Sequence, residues 1–176
     1  MRQDIIFAGF GGQGILFAGK IIAYAGMLEQ KHVSHLPSYG PEMRGGTANC
    51  HVIVSDGEIA SPIIVDASAL VVMNAPSLEK FESSVVAGGK IFVDSALISN
   101  KVARADVDAY YIPATKMAHD MGLPKLANMI MVGKLVKETG VFTFEQLKGA
   151  VEKMVPASKK DLLDNNLKAL EAGYQF

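Results

Sequence analysis

Cysteine occurs once in the 176 residues, at Cys50, and tryptophan does not occur at all. One thiol cannot close a disulfide within the chain or supply the set of thiolates that an iron–sulfur cluster takes. An excess of charge of one sign is also missing, because 17 basic against 18 acidic residues leave a formal net charge of −1. That balance lacks the basic footprint of a nucleic-acid binder, and with 7% aromatics the chain lacks a base-stacking platform. No apolar run is long enough to span a bilayer; the longest, residues 15–28, carries Lys20. Nor is there a signal-peptide pattern, since Asp4 interrupts the start and the apolar stretch ends in glycines. The expected setting is therefore reducing and cytoplasmic, away from membrane and nucleic acid.

What is present reads as one α/β domain over residues 1–176, with a mainly parallel sheet flanked by helices. Asp4 to Ala8 is a short apolar run closed by glycine, a buried strand. A helix follows from Gln13 to about Gln30, in which Gly19, Ala23 and Gly26 leave room for close packing. His32 to Leu36 is the second strand, so the opening is a Rossmann-like β-α-β unit with a parallel pair expected. Further strands are read at Thr47–Ser55, closed by Asp56-Gly57, and at Ala69–Met73, Lys90–Asp94 and Asp108–Ile112. Pro76 starts a helix expected to reach about Val86 and stop at Gly88-Gly89. The last third is helical. It comprises Lys125 to Glu138 ending at Gly140, a helix opened by Thr143 with Gln146 as capping box and Phe142 against Leu147 as staple, and one from near Ser158 with Leu162, Leu163, Leu167 and Leu170 on one face.

Between the first strand and helix stand Gly9-Phe10-Gly11-Gly12-Gln13-Gly14. Gly9, Gly11 and Gly14 satisfy the G-x-G-x-x-G pattern, which raises a self-sufficient NAD(P)- or flavin-binding enzyme as one reading. Such folds place an acidic residue at the end of the second strand for the ribose hydroxyls. Here Val33 to Tyr39 offers neither a carboxylate nor an arginine. A tight turn with close helix–sheet packing ranks above dinucleotide binding, and an anion shared with another chain stays open.

A second irregular stretch, Leu36-Pro37-Ser38-Tyr39-Gly40-Pro41-Glu42-Met43-Arg44-Gly45-Gly46-Thr47-Ala48-Asn49-Cys50, combines with the glycine loop into a more specific pattern. Together they resemble the gamma subunit of 2-oxoacid:ferredoxin oxidoreductases, the family that includes domain III of pyruvate:ferredoxin oxidoreductase. The resemblance covers nearly the whole chain, through Asn74-Ala75-Pro76-Ser77, Ile112-Pro113-Ala114-Thr115 and Asn128-Met129. Within the family, Pro-Glu-Met-Arg-Gly-Gly-Thr-Ala-Asn-Cys is closer to the 2-oxoglutarate and branched-chain members than to the pyruvate ones.

The resemblance implies an oxidative decarboxylation in which 2-oxoacid and coenzyme A yield acyl-CoA and CO2 while ferredoxin is reduced. It also implies thiamine diphosphate, Mg and [4Fe-4S] clusters on partner subunits, since this chain has no Gly-Asp-Gly segment for the thiamine diphosphate and no cysteine set. Those partners are alpha, beta and, in a four-chain enzyme, delta (ferredoxin-like) subunits, with ferredoxin reached through the complex. The chain's own part is assembly, with a share of the coenzyme A or active-site wall, and inactivity alone; a homodimer in isolation is also expected.

The ligand- or partner-contact candidates are Gly9, Gly11, Gly12, Gln13, Gly14, Tyr39, Glu42, Arg44, Gly45 and Gly46, and no residue is assigned a catalytic role. Arg44 on its Gly/Pro-rich stretch can grip a phosphate or partner carboxylate bidentately, or pair locally with Glu42. Tyr39 either lines a shared pocket or covers the stretch's apolar underside. His32 and His35, three apart on a strand, point to opposite faces, and no metal site is expected. Cys50 reads as an inert buried thiol, and Met117, Met121, Met129 and Met131 as core filling. Lys159-Lys160 reads as a solvated helix start.

Overall fold

The computed structural model describes residues 1–38, 47–156 and 158–176. The strands are β1 (Arg2–Phe10), β2 (His32–Ser38), β3 (Thr47–Ser55), β4 (Ala67–Val72), β5 (Val85–Asp94) and β6 (Asp108–Ile112). The helices are α1 (Ile15–Leu28), α2 (Ala75–Phe81), α3 (Ala114–Asp120), α4 (Ala127–Thr139), α5 (Phe144–Met154) and α6 (Lys160–Gln175). They build an α/β fold on a six-stranded sheet of order β2-β3-β1-β4-β5-β6. From β1 through β4 and β5 to β6 the pairing is parallel, while β3 runs antiparallel to both β1 and β2.

That order corrects the opening unit. β1 and β2 point the same way, but β3 lies between them, so they are not a ladder pair. The reason is readable in the strands. β2 contains Pro37, which has no N–H to give a second neighbour and therefore suits an edge. β3 contains no proline and alternates, sending Ala48, Cys50, Val52 and Val54 to one face and Asn49, His51 and Ile53 to the other. β1 and β4 are apolar on both faces, as strands sandwiched between two layers must be.

The two faces are covered unequally. On one, Ile5, Phe7, Val52, Val71 and Phe92 pack against α1, α4, α5 and α6 in a single large core. Burying each such side chain contributes about 1.5–3 kcal/mol. On the other, Ile6, Ala8, Ile53, Leu70 and Val93 meet Leu78 and Phe81 of α2 together with Ile64 and Ile98 from irregular segments. Glycines set the spacing on the larger side. A Cβ at Gly19 would collide with the Cys50 sulfur, and one at Gly26 would come 2.7 Å from Val33 Cγ2. The capping box of α5 is present, and Gln146 Nε2 also donates to Glu29 at 2.6 Å, tying α5 to the end of α1.

Several local expectations need correction. Gly88-Gly89 do not end a helix. α2 stops at Phe81, a 3-10 turn covers Glu82–Ser84, and the glycines lie inside β5 where the register with β4 shifts. Gly88 takes φ +76°, and a Cβ at Gly89 would meet Val86 O at 2.9 Å, so this strand start needs glycine for its irregular path. Helix α3, beginning after Pro113, buries only Ala114 and Ala118, a signal too short to fix its bounds as a period. Leu162 is 44% exposed and Met121 38% exposed, so neither is a core residue, whereas Met129 and Met131 are fully buried.

Candidate functional site

The connections define where a site can form. From β1 the chain crosses to β2 at one edge, and from β4 it steps the other way to β5. The crevice beyond the carboxyl ends of β1 and β4 is therefore the topological switch point, where α/β folds place ligands. The glycine turn of residues 9–14 lies there, followed by α1.

Gln13 closes this crevice from within. Its Oε1 accepts the Phe10 N–H at 2.6 Å, and its Nε2 donates to the Met73 carbonyl at 2.9 Å, bridging the ends of β1 and β4. Gly9 is buried because its missing side chain makes room for this amide, with a Cβ there falling 2.6 Å from Gln13 Oε1 and 2.8 Å from Ile15 Cδ1. Gly14 caps α1 at φ 75°, a left-handed conformation that glycine adopts without penalty. Its carbonyl accepts both the Ala18 N–H at 3.0 Å and Asn128 Nδ2 at 3.1 Å, and a Cβ on Gly14 would collide with that same amide. Gly11 and Gly12 stay exposed, and Gly12, at φ +90°, has open space around its Cα.

Two shallow depressions flank the turn. One, of about 280 Å³, is apolar and lined by Phe10, Gly12, Leu16 and Phe17. The other, of about 180 Å³, runs from Gly12 and Gln13 past Met73 and Thr115 to Lys125. Thr115 is already engaged, its hydroxyl donating to the fully buried Asp94 at 2.5 Å. Lys125 is the cation of this depression. Asn74 caps α2 by accepting the Ser77 N–H at 2.8 Å, while its Nδ2 and the Oδ1 of Asn128 have no partner among the described residues.

The described residues do not favour a dinucleotide: the switch-point crevice holds the Gln13 side chain of the chain itself, and β2 ends in Leu36-Pro37-Ser38 without a carboxylate. No cluster of three or more metal-ligating side chains occurs among the described residues. Cys50 does not fit an iron–sulfur ligand. It is fully buried, its Sγ lies 3.7 Å from the Ile15 carbonyl, and burial pushes the thiol up to about 12, so the thiolate is inaccessible at neutral pH. His35 faces α1 with its pKa lowered by burial and then by Lys20, while His32 is exposed on the opposite face. His51 Nδ1 accepts the Ile64 N–H at 3.0 Å, a structural bond.

Of the expected contact residues, the structure thus brings Gly9, Gly11, Gly12, Gln13 and Gly14 together at the switch point. Tyr39, Glu42, Arg44, Gly45 and Gly46 lie outside the described residues. The residues that flank them are placed: Thr47 stands opposite Phe10 in the β1–β3 ladder, and Ser38 opposite Asn49 in the next. Both ends of the second motif therefore leave the sheet where the glycine turn does. Sequence reasoning missed the contacts of Asn128 and Met73 with this turn, and Lys125 in the depression beside it. The Asn-Ala-Pro run at 74–76 was a usable cap signal, but nothing local marks Asn128 as a partner of Gly14, which lies 114 residues away.

Residues 4–176 match the family described as pyruvate ferredoxin/flavodoxin oxidoreductase. The chain is 36% identical over 178 residues to 2-oxoglutarate synthase subunit KorC of Methanocaldococcus jannaschii, covering 99% of this chain and 94% of that protein. It is 39% identical to ketoisovalerate oxidoreductase subunit VorA of Methanothermobacter thermautotrophicus over 96% of this chain but only 35% of that longer protein. The gamma subunit of keto/oxoacid ferredoxin oxidoreductase from Geobacter sulfurreducens superposes with a TM-score of 0.84 at 31% identity, covering 98% of this chain and 96% of that one. A 2-oxoglutarate:ferredoxin oxidoreductase from Magnetococcus marinus, solved with 2-oxoglutarate, coenzyme A and succinyl-CoA, shares the fold (TM-score 0.88, 22% identity, 99% of this chain, 30% of that one).

Proposed function

Because the chain belongs to the pyruvate ferredoxin/flavodoxin oxidoreductase family as a gamma-type subunit, we propose that it completes a thiamine diphosphate-dependent 2-oxoglutarate:ferredoxin oxidoreductase. The reaction converts 2-oxoglutarate and coenzyme A to succinyl-CoA and CO2, and two electrons pass to ferredoxin. The observation that carries the substrate is the end-to-end relationship with the 2-oxoglutarate synthase subunit, over 99% of this chain and 94% of that one. Thiamine diphosphate, Mg and [4Fe-4S] clusters belong to the alpha, beta and delta partners, which carry the decarboxylation and electron transfer. One buried thiol cannot supply the thiolate set of such a cluster, which supports placing the clusters on the partners. The chain works in the cytoplasm and is inactive alone. No helix among the described residues is long and apolar enough to cross a bilayer.

The chain's own residues act by shape. Gly9, Gln13 and Gly14 hold the switch-point turn in one conformation, and Gly11 and Gly12 present bare backbone to a neighbour. Tyr39, Glu42, Arg44, Gly45 and Gly46 supply contacts to coenzyme A or to a partner wall. The test is to purify the tagged chain with its natural partners and assay coenzyme A-dependent viologen reduction with 2-oxoglutarate, ketoisovalerate and pyruvate. A kcat/KM for 2-oxoglutarate above the others supports the proposal. Preference for ketoisovalerate moves the chain to the branched-chain group, and an inactive eluate without partners overturns the subunit assignment.

A further inference from the structure

The wall of the depression beside Gln13 is organised by a residue that does not line it. Asp94 closes β5 and is fully buried. Its main-chain carbonyl accepts the N–H groups of Leu97 and Ile98 at 3.2 and 3.0 Å, which turns the chain after the strand and sets Leu97 at the rim. Its carboxylate accepts the Ala96 N–H at 3.2 Å from the same loop. From the first turn of α3, beyond β6, it accepts the Thr115 N–H at 3.2 Å and the Thr115 hydroxyl at 2.5 Å. One carboxylate therefore ties the loop after β5 to the start of α3. Thr115, half-buried, lines the depression together with Lys125.

The same carboxylate fixes the polarity of Thr115. A threonine hydroxyl has one proton to give and two lone pairs to offer, whereas an ionised carboxylate only accepts. The proton therefore points at Asp94. Turning it towards the depression would leave a fully buried carboxylate with backbone N–H groups alone among the described residues, a loss that burial makes costly. Thr115 is thus held as an acceptor. Lys125, whose ammonium only donates, is the one charged side chain lining this depression among the described residues. A group seated there must bring a hydroxyl or amide N–H for Thr115 and, beside it, an anionic or carbonyl oxygen for Lys125.

Resting on the function proposed above, we propose that Thr115 is a specificity-determining residue for coenzyme A, and that Asp94 is the positioning residue that makes it one. Coenzyme A carries hydroxyl and amide N–H groups next to phosphate and carbonyl oxygens, the combination that this wall selects. The Thr115 oxygen accepts one of those donors while Lys125 meets a neighbouring oxygen. Asp94 touches no ligand. It acts by holding the threonine proton away from the depression and by fixing where the hydroxyl stands.

The test uses the chain assembled with its natural partner subunits and follows coenzyme A-dependent viologen reduction. Thr115→Val keeps the side-chain shape and the N–H to Asp94 but removes the oxygen. The KM for coenzyme A is expected to rise about fivefold or more, with kcat and the KM for the 2-oxoacid unchanged. Thr115→Ser, which keeps the hydroxyl, should bring the KM back to within about twofold of the unmodified complex. Asp94→Asn offers the threonine oxygen a donor and frees its proton to point outward, so the KM should rise in the same way. The Asp94→Asn/Thr115→Val double variant should be no worse than the worse single one, because Asp94 acts through that oxygen. Fully additive rises would deny Asp94 its positioning role. Thr115→Val decides the matter even where Asp94→Asn fails to fold. An unchanged KM in Thr115→Val overturns the proposal, as does a Thr115→Ser variant no better than Thr115→Val. Weakened assembly of Thr115→Val with the KM unchanged assigns the oxygen to a partner subunit's donor and also overturns it. An unmodified complex without coenzyme A-dependent activity overturns the proposed function instead, so the two failures are distinguishable.

Discussion

The turn between β1 and α1 and the crossing of α4 with α6 both depend on glycine, but against different neighbours. At the turn, the space left by Gly9 and Gly14 is occupied by the amides of Gln13 and Asn128, each hydrogen-bonded across an element boundary. At the crossing, the space left by Gly133 and Gly173 is occupied by backbone: a Cβ on Gly173 would collide with the Ile130 carbonyl, and one on Gly133 with the Leu170 carbonyl. A side-chain amide can rotate away from an added methyl group. A helix backbone cannot move without separating the two helices, so the quieter pair of glycines is the less replaceable one.

Substitutions can break this contrast in graded steps. Gly173→Ala or Gly133→Ala is expected to cost about 3 kcal/mol or more, because overpacking here pushes two helices apart. Urea denaturation of the isolated chain measures it, and a cost below that of the turn variants would invert the comparison. Gly14→Ala should cost about 2 kcal/mol, combining left-handed backbone strain with displacement of Asn128. Its strain component survives in an Asn128→Ala background while the clash component disappears, so a double-mutant cycle in which the two effects add fully would deny the contact. Gln13→Ala should cost about 1–2 kcal/mol through two lost hydrogen bonds. It would also reopen the switch point, a change that amide exchange at Phe10 would report. Gly149→Ala sharpens the comparison from the other side. This helical glycine has open space around its Cα, so the substitution should stabilise by up to about 1 kcal/mol.

The smallest effect concerns Gly19, whose missing Cβ lets α1 settle on Cys50 and brings it close to His35 Nε2. That nitrogen has no hydrogen-bond partner among the described residues. Burial, reinforced by Lys20, holds the His35 pKa below its ordinary 6.5, and burial alone does so for His51. The unfolded chain therefore takes up protons more readily than the folded one in the window below pH 6.5. Stability is fully present above that window and declines as pH falls through it. Melting temperatures taken between about pH 7.5 and 5.5 should drop, and His35→Gln should flatten the slope. A slope unchanged in that variant would assign the effect to His51.

Much of this architecture was legible locally. β3 and β6 were bounded correctly because alternation and turn residues such as Asp56-Gly57 mark their ends. α5 announced itself through Thr143 and Gln146. Strand adjacency was not legible: the β-α-β rule anticipates neighbours, and only Pro37 in β2 hinted that β2 belongs at the edge. Gly88-Gly89 do not stop a helix because the same dipeptide can also bend a strand, and here the pairing of β5 with β4 takes it into the sheet. At the candidate site the turn itself was visible, but its occupant was not. Gln13 reads as the first polar residue of the helix, but α1 begins at Ile15 and Gln13 instead reaches the Met73 carbonyl, 60 residues later. The helix-crossing glycines, 40 positions apart, carried no pattern at all.

The placement of β1 also bears on how the chain reaches this state. Its Ile5–Ala8 segment is closed on one side by Asn49–Val52 and on the other by Ala69–Val72. As the chain emerges during synthesis, the apolar centre of β1 waits without partners until the β2–β3 hairpin is made, and keeps one open edge until β4 follows. Long-range closure of this kind is slow and exposes sticky backbone. The early hairpin is thus a shield for β1 as well as a part of the sheet, and substitutions that delay it should show first as lost yield rather than lost stability.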